Sequence, residues 1–224
     1  MGSEDLFHKR KAKKAASLKR NAARRAPYSK ILIVCEGEKT ETNYFNEVVD
    51  FYSINTANVE ICGECGSDPM SVYKYARQRF VDENNRGDPF DRVYCVFDRD
   101  AHANFQDAIA AIEAAKPGKV YNAITSTPSF EYWLLLHFIY TTQPFTATQS
   151  KSAGDAVLHE LKQYMPDYKK AKKSIFLELK DNLEFAKNNA ERALKESIQR
   201  GNDNPSTKIH KLVEFMENIK SQKN

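Results

Sequence analysis

Long apolar runs are missing from this chain: the longest, Trp133 to Tyr140, is interrupted by His137 and falls well short of the roughly 20 residues that span a bilayer. No apolar segment follows the basic first 30 residues, so a secretory start and a membrane partner are not expected, and a cytoplasmic protein is. Cysteine is scarce, at four in 224 residues. Cys35 and Cys95 fall inside apolar runs, where a small buried thiol is the ordinary reading. Cys62 and Cys65 form a CxxC without the second pair, or the nearby His pair, that a structural zinc recruits, which favours a turn after a strand. There is no glycine-rich phosphate loop, which weakens any reading built on a nucleotide donor, and no internal repeat is apparent.

Charge is present but unevenly spread. Residues 1–30 hold ten of the 34 Lys and Arg residues against two acids, Glu4 and Asp5, a net of +8. The remaining 194 residues carry 24 basic and 28 acidic side chains, a net of −4. A basic arm on a mildly acidic body suits docking onto polyanions, because each phosphate contact releases counterions whatever the base sequence. A solvated leader without a partner is the alternative. The arm, residues 1–29, lacks an apolar stripe and is expected to be disordered alone.

From Lys30 the pattern alternates. Strands are expected at 31–35, about 57–62, 92–97 and about 119–125, with helices at about 41–52, 68–83, 104–115 and 128–140 between and after them. Strands separated by helical lengths imply parallel pairing through crossovers, so the core at 30–141 reads as an α/β fold with a parallel four-stranded sheet flanked by helices. After a polar connector, residues 142–224 read as a helical subdomain, with amphipathic helices at 153–165, 181–199 and 206–221 and a short strand at Ser174–Leu177.

Two apolar runs end in acids. Ile31-Leu32-Ile33-Val34-Cys35 runs into Glu36-Gly37-Glu38, and Val93-Tyr94-Cys95-Val96-Phe97 into Asp98-Arg99-Asp100. Residues just past the C-termini of parallel strands line the ligand crevice. Glu36, Asp98 and Asp100 are therefore expected at one edge, where crowded carboxylates call for a hard cation such as Mg²⁺ or Mn²⁺. In an extended segment residues i and i+2 face the same side, so Asp98 and Asp100 can share a metal while Arg99 points elsewhere. Gly37 lets the chain turn sharply after Glu36. Glu38 and Glu41 fall near the start of the next helix, as capping acids or as members of the cluster.

The order of apolar strand, Glu-Gly, later apolar strand and Asp-x-Asp resembles the Toprim domain of topoisomerases, primases and OLD-family nucleases. More closely, residues Ile31 to Glu41 with Tyr44-Phe45, then Val96 to Asp100, then Ser129 to Phe138 and Asn204-Pro205-Ser206-Thr207, resemble the RloB-like family across nearly the whole chain. That resemblance implies a Toprim-type fold and a Mg²⁺-dependent nuclease acting on DNA or RNA in bacterial anti-phage defence, sometimes beside an ATPase partner. By the Toprim pattern Glu36 is the general acid or base, while Asp98 and Asp100 hold the metal. Lys39-Thr40 departs from the topoisomerase and primase pattern after the glycine, which puts those two activities in doubt.

Other residues extend the site. Glu131 starts a helix after the fourth strand and either joins the cluster, admitting a second metal, or is an N-terminal helix acid. Lys39, Arg99 and His102 are candidate phosphate contacts; Arg99 and Lys39 are equally surface charges pairing with Glu38 or Asp98. His137, on a helix otherwise of Trp and Leu, reads as a core histidine, and Tyr44, Phe45, Tyr132 and Trp133 as core aromatics. Besides the nuclease, two readings stay open: a non-catalytic nucleic-acid or protein adaptor with a structural metal site, and nucleotidyl or glycosyl transfer through the Asp-x-Asp.

Overall fold

The computed structural model describes residues 27–66, 68–99 and 102–221. Most of the basic leader and Asp100 therefore lie outside the described residues.

Five strands form one sheet in the order β2-β1-β3-β4-β5: β1 (Ile31–Cys35), β2 (Val59–Cys62), β3 (Arg92–Asp98), β4 (Tyr121–Thr127) and β5 (Ser206–Thr207). The first four pair in parallel, and β5 runs antiparallel to β4. Alternation along the strands sorts their apolar side chains onto two faces. Ile31, Ile33, Cys35, Tyr94, Val96 and Ile124 enter one core, and Leu32, Val34, Val93, Cys95 and Phe97 the other. Both faces are covered, which is why these strands read as continuous apolar runs.

The smaller core lies beneath α2 (Pro69–Arg86) and α3 (Phe105–Glu113). The start of α2 is written locally: Asp68 accepts hydrogen bonds from the backbone N–H of Met70 at 3.1 Å and Ser71 at 3.2 Å, and Pro69 follows it. Gly87 closes the helix in the left-handed conformation at φ 82°.

The larger core holds α1 (Thr40–Phe51), α4 (Glu131–Leu135), α5 (Ala153–Tyr164), α6 (Ile175–Leu179), α7 (Leu183–Arg200) and α8 (Ile209–Asn218). Tyr44, Phe45, Tyr132 and Trp133 are fully buried there, and Trp133 Nε1 donates to Tyr44 Oη at 2.9 Å. The aromatics and His137 thus have the core positions expected of them.

Four details depart from expectation. The sheet has a fifth strand, β5, drawn from residues 206–207 that the sequence pattern places in a helix; Lys208 N–H continues onto the Thr125 carbonyl at 2.9 Å before α8 begins. Ser174–Leu177 is not a strand. Ser174 caps α6 and Ile175–Leu177 begin it, and the Glu47 carboxylate of α1 accepts from the backbone N–H of Ser174 at 2.5 Å and of Phe176 at 2.9 Å. The helix expected at 128–140 shrinks to α4, because bonds from Trp133 to Phe130 and from Phe138 to Leu135 tighten both ends, and Tyr132 Oη donates to the Thr141 carbonyl. Arg99 pairs with Asp203, not with Glu38 or Asp98. Among the described residues no helix is long and apolar enough to cross a membrane.

Candidate functional site at the sheet edge

The C-terminal ends of β1 and β3 lie side by side, with Cys35 opposite Val96 and the Glu36 N–H continuing the ladder onto the Val96 carbonyl at 2.9 Å. This register places Glu36 beside Asp98. The Asp98 N–H donates to Glu36 Oε2 at 3.1 Å, and the other oxygen of Glu36 lies 3.1 Å from His102 Nε2. From the next strand onward, Phe130 N–H donates to Asp98 Oδ2 at 3.0 Å, which sets α4 and Glu131 against the same edge. Glu131 is buried, accepting from Ser129 Oγ at 2.8 Å and from Tyr168 Oη at 3.3 Å, with Lys170 Nζ 3.9 Å away.

A fourth carboxylate completes the cluster. Glu41, in the first turn of α1, is buried with its carboxylate folded against Gly37, so closely that a Cβ on Gly37 would collide with Glu41 Oε2. The glycine is needed here for close approach of a side chain. Gathering these acids in partial shelter from water favours their neutral forms. Burial, and after it the neighbouring Glu41 and Glu131 carboxylates, pushes Asp98 well above the usual carboxylate range. Burial, reinforced by Glu131 and Glu36, raises Glu41 to about 7. Four acids from four elements thus meet at the crevice edge, and two of them resist ionising.

Of the residues expected to act, Glu36, Asp98 and Glu131 come together, and His102 joins them through Glu36. Arg99 turns away to Asp203 and lies over the Phe105 ring at 5.7 Å. Lys39 is exposed on the turn before α1. Asp100 lies outside the described residues. Among the described residues no group of three or more His, Cys, Asp or Glu side chains is disposed to hold a metal ion. The donor set is nonetheless of the type a hard cation takes, carboxylate oxygens whose repulsion a positive charge would relieve.

In sequence, Glu41 reads as readily as a helix acid as a member of the site. The spacing Glu36-Gly37 to Glu41 carries the signal, since a glycine leaves room for the side chain that the first helical turn brings back. Tyr168 and Lys170 have no such signal; they arrive on the loop after α5, which is tied to α1 by the Ala171 N–H on Thr40 Oγ1 at 3.0 Å. Cys62 and Cys65 are free thiols, and Cys65 Sγ donates to the Cys35 carbonyl at 3.0 Å.

Beside the cluster, His102 and Arg99 line a cavity of about 700 Å³ together with Thr127, Ser152, Asp203 and Asn204. No curated protein and no solved structure matches the chain. The family model of RloB-like proteins matches residues 31–216, from the first residue of β1 into α8, so the match takes in each of the four clustered acids, and the chain belongs to the RloB-like family.

Proposed function

We propose that this chain is a metal-dependent phosphodiesterase of Toprim type that cleaves DNA or RNA. The observation that carries the reading is the convergence of Glu36, Glu41, Asp98 and Glu131 on one edge of a parallel sheet, with the proton affinity of Asp98 and Glu41 raised. Asp98 and Glu36, with Asp100 two residues on, would hold Mg²⁺ or Mn²⁺. Such an ion, when bound, stabilises charge on a phosphate oxygen and lowers the pKa of a bound water. Glu36 would take up the proton of the attacking water and become a neutral carboxyl, and His102, 3.1 Å from its Oε1, orients the carboxylate for that transfer. Lys170, 70% exposed at the rim, supplies a cation toward the scissile phosphate. Bacterial anti-phage defence and an ATPase as partner protein belong to the same proposal.

The test uses E36Q and D98N in the full chain. Both are expected to abolish Mg²⁺-stimulated cleavage of DNA and RNA probes while leaving the circular dichroism spectrum unchanged, and D98N is expected to lose the rise in melting temperature that Mn²⁺ gives the parent. Retained cleavage in both variants would overturn the reading.

One observation favours the alternative of a non-catalytic adaptor. Both oxygens of Glu36, and one of Asp98, are already engaged by protein groups, as in structural carboxylates. A protein that binds nucleic acid with steep salt dependence, yet cuts nothing in Mg²⁺ or Mn²⁺, would select that reading.

A further inference from the structure

The crevice does not end at the carboxylates. The 700 Å³ cavity shares Arg99, Asn202 and Asp203 with a second cavity of about 540 Å³, and this one shares Lys208 and Lys211 with a third of about 410 Å³. Thr127, at the C-terminal end of β4, lines the first, and Tyr121, at its N-terminal end, lines the third. The three therefore form one furrow along the β4 flank, over a strand whose seven residues extend about 20 Å, the rise of about six stacked nucleotides.

Its charge is one-sided. Arg92, Arg99, Lys208 and Lys211 line it against Asp203 and Glu113, and Asp203 is already taken by Arg99. Among the described residues Lys208 and Lys211 make no ion pair. Lys208 is half-buried where β5 passes into α8, its backbone N–H fixed on Thr125, and Lys211 is exposed one turn on. The Arg92 guanidinium lies over the Phe215 ring at 4.9 Å, beside the Tyr94 hydroxyl, and adds its charge to this end of the furrow. Burial, and then Lys211, holds the Lys208 ammonium below its ordinary value, with Glu113 and Asp203 only partly compensating. A half-buried cation with a second cation beside it is relieved by an anion from outside.

We propose that a nucleic-acid strand reaches the carboxylate cluster along this furrow, its phosphates seated on Lys208, Lys211 and Arg92. The inference rests on the phosphodiesterase reading, because the furrow opens at His102 beside Glu36, where a threaded strand presents a phosphodiester and an acidic peptide would present nothing to cut.

The test is fluorescence anisotropy of a labelled oligothymidylate with the full chain in EDTA, across about 50 to about 200 mM salt. K208Q/K211Q is expected to bind about tenfold more weakly at the middle of that range and to lower the slope of log affinity against log salt by roughly 1.4, two single-strand phosphate contacts. K172Q/K180Q, which removes two lysines paired with Glu178 and Asp181 outside the furrow, is expected to keep the parent slope. K211Q alone, at an exposed position, provides the smaller step if the double variant melts early. An unchanged slope in the furrow variants, or an equal loss in the control, would overturn the path. Because no cleavage is read, a failure of the nuclease reading shows separately, as intact furrow binding without cutting in Mg²⁺ or Mn²⁺.

Discussion

Gly37 and Gly63 show how one added methyl group separates function from stability. At Gly37 a Cβ would collide with the Glu41 carboxylate, the far end of a flexible side chain. Glu41 can swing out, so G37A is expected to cost no more than about 1 kcal/mol of stability while displacing a carboxylate from the cluster and lowering cleavage at least about tenfold. At Gly63 the obstruction is backbone, Glu38 Cα and the Gly37 carbonyl oxygen, both at 2.9 Å. G63A therefore forces the turn after β1 to move, and urea denaturation is expected to show a loss of about 1–3 kcal/mol. Equal losses of stability in the two variants would contradict this account. Glu36 and Asp98 are legible in the sequence because an apolar run ending in an acid marks a strand end in a parallel sheet. Glu41 is not, since an acid in a first helical turn has a cheaper explanation, and only the approach of α1 to Gly37 turns it inward. Glu41 also has a pH signature. Its folded value of about 7 lies above the ordinary value of 4.5, so the stability it contributes is present below pH 4.5 and is lost as pH rises through 7. His137 runs the other way, since burial lowers it to about 4, and its contribution is present above 6.5 and lost as pH falls through 4. E41Q should gain on the parent steadily between pH 4.5 and 7, by about 2–3 kcal/mol at the upper end, in urea midpoints taken at half-unit steps. A constant difference would show that Glu41 is not held in the raised state.

Among the elements, those legible in sequence are held by their own apolar pattern, and those that are not are held by partners far along the chain. β1 and β3 carry continuous apolar runs, and α2 carries its cap and its closing glycine, so local chemistry suffices for them. β5 is two polar residues, Ser206 and Thr207, with no apolar alternation to announce it. It exists because β4 offers an edge and because Thr207 Oγ1 and Ser126 Oγ meet at 3.0 Å in a buried pair. α6 likewise owes its start to Glu47, 127 residues away from Ser174 in sequence. The buried pair gives a hydroxyl an energetic role. T207V keeps shape and β-propensity but leaves the buried Ser126 hydroxyl and the Ile209 N–H without their shared partner, which is expected to cost about 1–3 kcal/mol and to speed amide exchange at position 207 relative to β1 and β3. S126A/T207V removes both hydroxyls and should recover the part of that loss due to Ser126, leaving the part due to the Ile209 N–H, which donates to Thr207 Oγ1 at 3.2 Å; recovery of nothing would place the whole effect on that N–H.

At the scale of the whole molecule the question is how a body of net −4 handles a polyanion. A net negative body works against one, and the carboxylate cluster works against it most where chemistry would occur. Lys30 is buried and paired with Glu83 and Asp88, which leaves nine cations in residues 1–29; on the proposed reading these would add affinity without regard to register, while Lys208 and Lys211 would add it in one place and along one direction. The two contributions separate by what they discriminate. Replacing Lys9, Arg10, Lys11, Lys13 and Lys14 by glutamine in the full chain should weaken binding to oligothymidylate and to heparin alike, reducing the salt slope by roughly 0.7 for each single-strand phosphate no longer neutralised. Equal melting temperatures of parent and variant are the control that the fold is intact. K208Q/K211Q is expected instead to spare heparin and to weaken binding of oligothymidylate. If both sets of substitutions weakened both ligands by the same factor, binding would follow total charge alone, and the division between an unspecific arm and a directional furrow would have no physical basis.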